Sequence, residues 1–61
     1  MSHNLTLAQQ LAWNLARTLM TPVILFRTDS EYGVLPADEL DDADVVALYE
    51  YDPHAGARSV H

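Results

Sequence analysis

One stretch of this sequence repeats with a helical period, and everything after it reads as strand or turn. The chain therefore has a single helix with which to cover a sheet. Ala8, Leu11, Ala12, Leu15, Ala16 and Leu19 recur at three- and four-residue spacing and share one face. Thr6 followed by Gln9 has the capping-box spacing, in which two side chains satisfy the free amides of a first turn. The pattern predicts a helix over residues 7–19, stopped by Thr21-Pro22 because proline disfavours helix in the residue before it. Alanine in the stripe implies close approach to a flat surface such as a sheet.

Pro22 to Thr28 reads as a strand, with Val23, Ile24, Leu25 and Phe26 β-branched or bulky and no breaker inside. Asp29-Ser30-Glu31 supplies turn chemistry, and Tyr32 to Leu35 follows as a shorter strand, so the two suggest a hairpin. Gly33 fits either a bulge or a position across from Phe26. Pro36 closes the strand. Ala37 to Ala43 is an acidic connector with room for one helical turn. Asp44 to Tyr51 is a third strand, with Val45, Ala47, Tyr49 and Tyr51 on one side and Val46, Leu48 and Glu50 on the other. Asp52-Pro53 ends it, and residues 54–61 are expected to form a flexible tail. The expected fold is a single α+β domain over residues 1–61. One N-terminal helix packs on a three-stranded antiparallel sheet (α-β-β-β). A meander is the simplest order; the alternative has the third strand crossing over to pair with the first.

Sixty-one residues bury only ~60% of the surface that the unfolded chain exposes, so such a domain is marginal without a supplement. There are no cysteines, which excludes disulfides and thiolate zinc sites and fits a reducing compartment. Met1-Ser2-His3-Asn4 carries no basic cluster ahead of an apolar run, and the longest apolar stretch, Val45–Tyr49, is five residues. Neither a secretory signal nor a membrane span is expected, and a cytoplasmic location is. A partner subunit is then the natural supplement.

A lone helix covers one face of a sheet, and the other face should alternate to polar. Here both faces are apolar. If Ile24, Phe26 and Leu35 point toward the helix, then Val23, Leu25, Tyr32 and Val34 point away, and Tyr49 and Tyr51 extend the apolar surface along the third strand. Trp13 lies well off the helical stripe, where it serves either as a binding anchor or as packing at the edge of the core. Trp13, Val23, Leu25, Tyr32, Val34, Tyr49 and Tyr51 are thus the expected apolar contact residues, most simply in a two-fold homodimer.

The charge of −6 is distributed unevenly. Residues 1–28 hold Arg17 and Arg27 and no acid; residues 29–52 hold all nine acids and no base. Direct nucleic-acid binding, which needs clustered Lys or Arg, is not expected. Asp29, Glu31, Asp38, Glu39, Asp41, Asp42 and Asp44 form instead a candidate surface for a protein partner with a basic face, because arrayed carboxylates imitate phosphates and steer association.

Catalytic and metal motifs are lacking. Counted as a calcium loop from Asp38, the acidic run has Leu40 and Ala43 at the third and sixth positions, where an oxygen ligand and glycine belong. His3, His54 and His61 lack the paired spacing of a zinc site. No serine stands in a nucleophile elbow, and Gly33 and Gly56 make no phosphate loop. No enzyme activity, cofactor or metal is expected. In size, acidity and absence of cysteine the chain is similar to phage and mobile-element inhibitors of host defence, including anti-CRISPR proteins; the likeness is one of size and charge and covers no motif. It implies a small protein that binds and inhibits or modulates a partner. The alternative is a homodimeric structural or assembly subunit whose acidity serves solubility.

Overall fold

The computed structural model describes residues 4–40 and 45–60. Helix α1 spans Leu5–Leu19 and is followed by strands β1 (Val23–Arg27) and β2 (Tyr32–Pro36). A short 3-10 turn over Ala37–Glu39 precedes β3 (Val46–Asp52) and β4 (Gly56–Ser59). Expected residues Asp41, Asp42 and Asp44 lie outside the described set.

The helix starts two residues earlier than the capping-box spacing implies. Asn4 takes the N-cap, with its side-chain oxygen accepting from the Leu7 amide at 3.1 Å. Asparagine is among the best N-cap residues, so it displaces Thr6. At the other end Met20 adopts the left-handed conformation (φ 53°) and its amide returns to the Ala16 carbonyl. Thr21 donates to the same carbonyl at 3.3 Å, turning the chain into β1.

The four strands form one antiparallel sheet in the order β2-β1-β3-β4. The third strand crosses over to pair with the first, so the meander is corrected. β1 takes the central place because all of Val23, Ile24, Leu25 and Phe26 are buried, on both faces of the sheet. Gly33 lies directly across from Phe26, resolving its two readings. The β1–β2 turn closes through the Thr28 amide, which donates to the Glu31 carbonyl at 2.9 Å.

A further correction concerns the last eight residues: the expected tail contains an edge strand. Asp52 caps the hairpin loop, its carboxylate accepting from the amides of His54 (2.7 Å) and Ala55 (3.1 Å). Pro53 pre-sets the loop backbone, and Gly56 takes φ +93°, which other residues rarely adopt. β4 then pairs from Gly56↔Asp52 to Ser59↔Tyr49, and the Val60 amide reaches the Leu48 carbonyl at 3.1 Å.

The assignment of sheet faces reverses. The core beneath the helix consists of Ala8, Ala12 and Ala16 against Val23, Leu25 and Tyr51, with Leu5, Trp13, Leu15, Tyr32, Val34, Leu48 and Tyr49 packed around it. Ile24 and Phe26 face away from the helix, yet are only 9% and 4% exposed. A register shift between Leu25 and Phe26 puts Tyr49 opposite Leu25 but Ala47 opposite Phe26. The extra residue in β3 breaks the simple alternation, so Ala47 shares the side of Phe26 and not that of Tyr49 and Tyr51.

Candidate functional site

The helix packs on β1, β2 and β3, and β4 extends the sheet beyond it. The uncovered margin is a groove of about 400 Å³ between α1 and the β3–β4 hairpin. Thr6, Gln9, Gln10 and Trp13 line it from the helix; Tyr49, Tyr51, Ala57, Arg58 and Ser59 line it from the sheet. Pairing explains the shape. Ala57 lies opposite Tyr51 and Ser59 opposite Tyr49, so two small residues on β4 leave open space beside two large ones on β3.

Three aromatic rings make the apolar wall. Trp13 meets Tyr51 edge to face, with centroids 5.3 Å apart and planes at 76°. Tyr49 is tilted against Tyr51 at 6.3 Å. The Arg17 guanidinium lies 5.4 Å from the Trp13 ring centre, a cation–π contact that carries the positive charge of the helix to the rim. Tyr51 has its phenol pKa raised, chiefly by burial; a hydrogen bond from the Gln9 side chain pulls the other way, and Tyr49 adds to the rise. Gln9 is therefore engaged with Tyr51, where the sequence pattern had given it a capping role.

Of the expected apolar contact residues, Val23 and Leu25 are fully buried and Tyr51 is 2% exposed, all beneath their own helix. Val23 and Leu25 are core, and Tyr51 belongs to the core while its edge also lines the groove. Their faces are claimed by the alanine row, which lets the sheet approach closely. Tyr32 and Val34 pack at the border of the same core. Trp13 and Tyr49 are partly buried and line the groove. The exposed large apolar residues among those described are elsewhere: Leu7, Leu11 and Leu19 at 47–48%, Met20 at 59%, Val46 at 37% and Val60 at 42%. Leu11 and Leu19 belong to the expected buried stripe but flank it, because the helix is centred on Ala12.

The acidic candidates fall at two ends of the β1–β2 hairpin. Asp29 and Glu31 lie by the Arg27 end, whereas Asp38 and Glu39 follow Pro36, which pairs with Val23. Four strand steps, roughly 14 Å, separate the two ends. Asp29, Asp38 and Glu39 are exposed and Glu31 is partly so. On the sheet face away from the helix, Arg58 Nε donates to Glu50 Oε1 at 2.7 Å across the β3–β4 pair. That bridge is open to solvent on the arginine side and contributes little to stability.

Among the described residues no group of His, Cys, Asp or Glu is placed to hold a metal ion. No helix among them is long and apolar enough to cross a membrane. Comparison of the chain with protein-family models, curated proteins and solved structures finds no match. The groove was missed in the sequence because it depends on β4; the one available signal was the Asp52-Pro53 turn followed by Gly56.

Proposed function

We propose that this chain is a small, acidic, non-enzymatic binding protein that occupies and modulates the surface of a protein partner. The observation that supports this reading best is the groove walled by Trp13, Tyr49 and Tyr51. Its volume of about 400 Å³ is enough for one or two apolar side chains of a partner. Tryptophan and tyrosine are enriched among residues that dominate binding energy, since they offer large rigid area at small entropic cost. Exposed acids at both ends of the β1–β2 hairpin favour a partner with a basic surface and speed encounter with it. A cytoplasmic partner, and inhibition as the outcome, belong to the same proposal.

The test starts from a partner captured with the tagged chain and identified by mass spectrometry, and then measures rates with purified components. Ala57→Phe fills the groove from an exposed position on β4 and leaves the core untouched. It is expected to raise the dissociation rate by roughly tenfold or more. Replacing Asp38, Glu39, Asp41 and Asp42 with Asn or Gln is expected to slow association at low salt and to leave the fold intact. Unchanged dissociation with Ala57→Phe removes the groove from the contact. An unchanged low-salt association rate in the fourfold variant removes the acidic steering.

A further inference from the structure

We propose, on the strength of the groove reading above, that the outer edge of β4 receives an extended segment of the partner as an added antiparallel strand, with an apolar side chain of that segment in the groove. The sheet has two edges, β2 and β4. On β4 the Val60 amide donates to the Leu48 carbonyl, so Leu48 and Val60 form a hydrogen-bonded pair. Antiparallel pairs alternate, which makes Glu50 and Arg58 hydrogen-bonded as well and leaves Tyr51 and Ala57 a pair without mutual bonds. The N–H and C=O of Ala57 therefore turn away from β3, toward the outer edge. Its side chain lines the groove. A residue set antiparallel opposite Ala57 exchanges two backbone hydrogen bonds with it, and the two side chains share a face. One residue of the incoming strand thus supplies both the main-chain bonds and the side chain that meets Trp13, Tyr49 and Tyr51.

The two edges differ in what they admit. β2 ends in Pro36, which has no N–H, and acids stand at both of its ends, Asp29 and Glu31 at one and Asp38 and Glu39 at the other. Proline and charge are common means of closing an edge to further pairing. β4 is Gly56-Ala57-Arg58-Ser59, with no proline and no acid. Among the described residues no strand lies beyond it. Strand addition at such an edge draws affinity from main-chain bonds and specificity from alternate side chains.

Charge sets the chemistry of the occupant. The groove lining contains no carboxylate, and Arg17 stands at its rim over Trp13. On the other face Arg58 is the outer member of its ion pair, with a side chain 74% exposed against 19% for Glu50. An added strand therefore meets the guanidinium before the carboxylate. Asp52, farther along β3, is turned to the loop amides of His54 and Ala55. In an antiparallel strand, the residue before the one facing Ala57 faces Arg58. The occupant is thus an extended segment in which an acidic residue is followed directly by a large apolar one, as in Glu-Leu.

Titration of isotope-labelled protein with a short capped peptide, threonines around a central Glu-Leu, tests this by amide NMR. Saturable shifts are expected at Ala57 and Arg58, with a Kd of about 1 mM or tighter. Methylating the leucine nitrogen removes one main-chain bond and keeps the side chain, and it should weaken binding at least about tenfold. Leucine to alanine in the peptide should do the same through the groove. Glutamate to glutamine should weaken binding about threefold at low salt. Ala57→Phe is expected to abolish the shifts, whereas Leu11→Glu, on the opposite flank of α1, retains them. An N-methylated peptide that binds as tightly overturns strand addition and leaves the groove reading standing; an alanine peptide that binds as tightly removes the groove as well. Equal binding of the glutamate and glutamine peptides overturns the acidic specificity. The proposal also falls if about 5 mM peptide produces no shift, if Leu11→Glu loses binding, or if the mass doubles with concentration through pairing of β4 with β4 of a second copy.

Discussion

Leu25→Ala is the most direct test of the reversed sheet faces. Leu25 is fully buried on the central strand, under the alanine row and beside Tyr51. The substitution removes three carbons at ~0.8 kcal/mol each, or about 2.4 kcal/mol of transfer free energy. The rigid backbones of β2 and β3 on either side limit collapse, and a residual cavity adds about 1–2 kcal/mol. The expected loss is thus about 3.5–4.5 kcal/mol, comparable with the ~3–5 kcal/mol that a core of this size supplies. Trp13 is the only tryptophan and touches Tyr51, so its fluorescence reports the helix–sheet contact directly. Urea titration read by fluorescence and far-ultraviolet circular dichroism should show Leu25→Ala largely unfolded at the start. Leu15→Ala, at the partly exposed flank of the helix, should retain a cooperative transition shifted by about 1–2 kcal/mol. A Leu25→Ala midpoint within error of wild type, or Leu15→Ala as the more damaging change, would refute this core.

Gly56→Ala meets no atom within 4 Å but forces a side chain to φ +93°, so it should cost about 1–2 kcal/mol in the same titration through backbone strain alone. The carboxyl of Asp52 is held below the usual range by the His54 and Ala55 amides. Its stabilisation is therefore present above the ordinary aspartate pKa and lost as pH falls through the depressed one; melting temperatures of Asp52→Asn should fall less steeply in acid than those of wild type. The raised pKa of Tyr51 acts at the other limb. Stability is complete below the ordinary tyrosine range near ~10 and declines as pH rises through the raised value, a decline that Tyr51→Phe should flatten in alkaline melts.

Helix α1, the β1–β2 hairpin and the crossover alternative were legible because each rests on a local signal: a periodic stripe, a β-branched run, a turn cluster. The choice of face was not. Ile24 and Phe26 are as apolar as Val23 and Leu25, so alternation alone does not distinguish the two sets. What decides it is non-local: the alanine row packs against one set, and a bulge in β3 then turns Tyr49 and Tyr51 the same way. Strand β4 is four residues, Gly-Ala-Arg-Ser, with no hydrophobic pattern. Its strand character comes from pairing with β3 and from the Asp52-capped turn, a tertiary effect that overrides weak propensity. With β4 hidden, the aromatic groove could not be drawn, and Tyr49 and Tyr51 read as a flat apolar surface.

The alanine row has a consequence for binding. A helix that meets a sheet through leucines spends them in the core; one that meets it through Ala8, Ala12 and Ala16 leaves its larger side chains on the flanks. The interior volume is supplied by Val23, Leu25 and Tyr51 from the sheet. Leu11 and Trp13 stand one residue either side of Ala12, each about 100° around the helix from it. Exposed Leu7 and Leu11 and the aromatic groove therefore lie on opposite flanks of the same element, separated by the contact that holds the fold together. A substitution on one flank need not disturb the other, so Leu11→Glu and Ala57→Phe act on different surfaces and their effects should add.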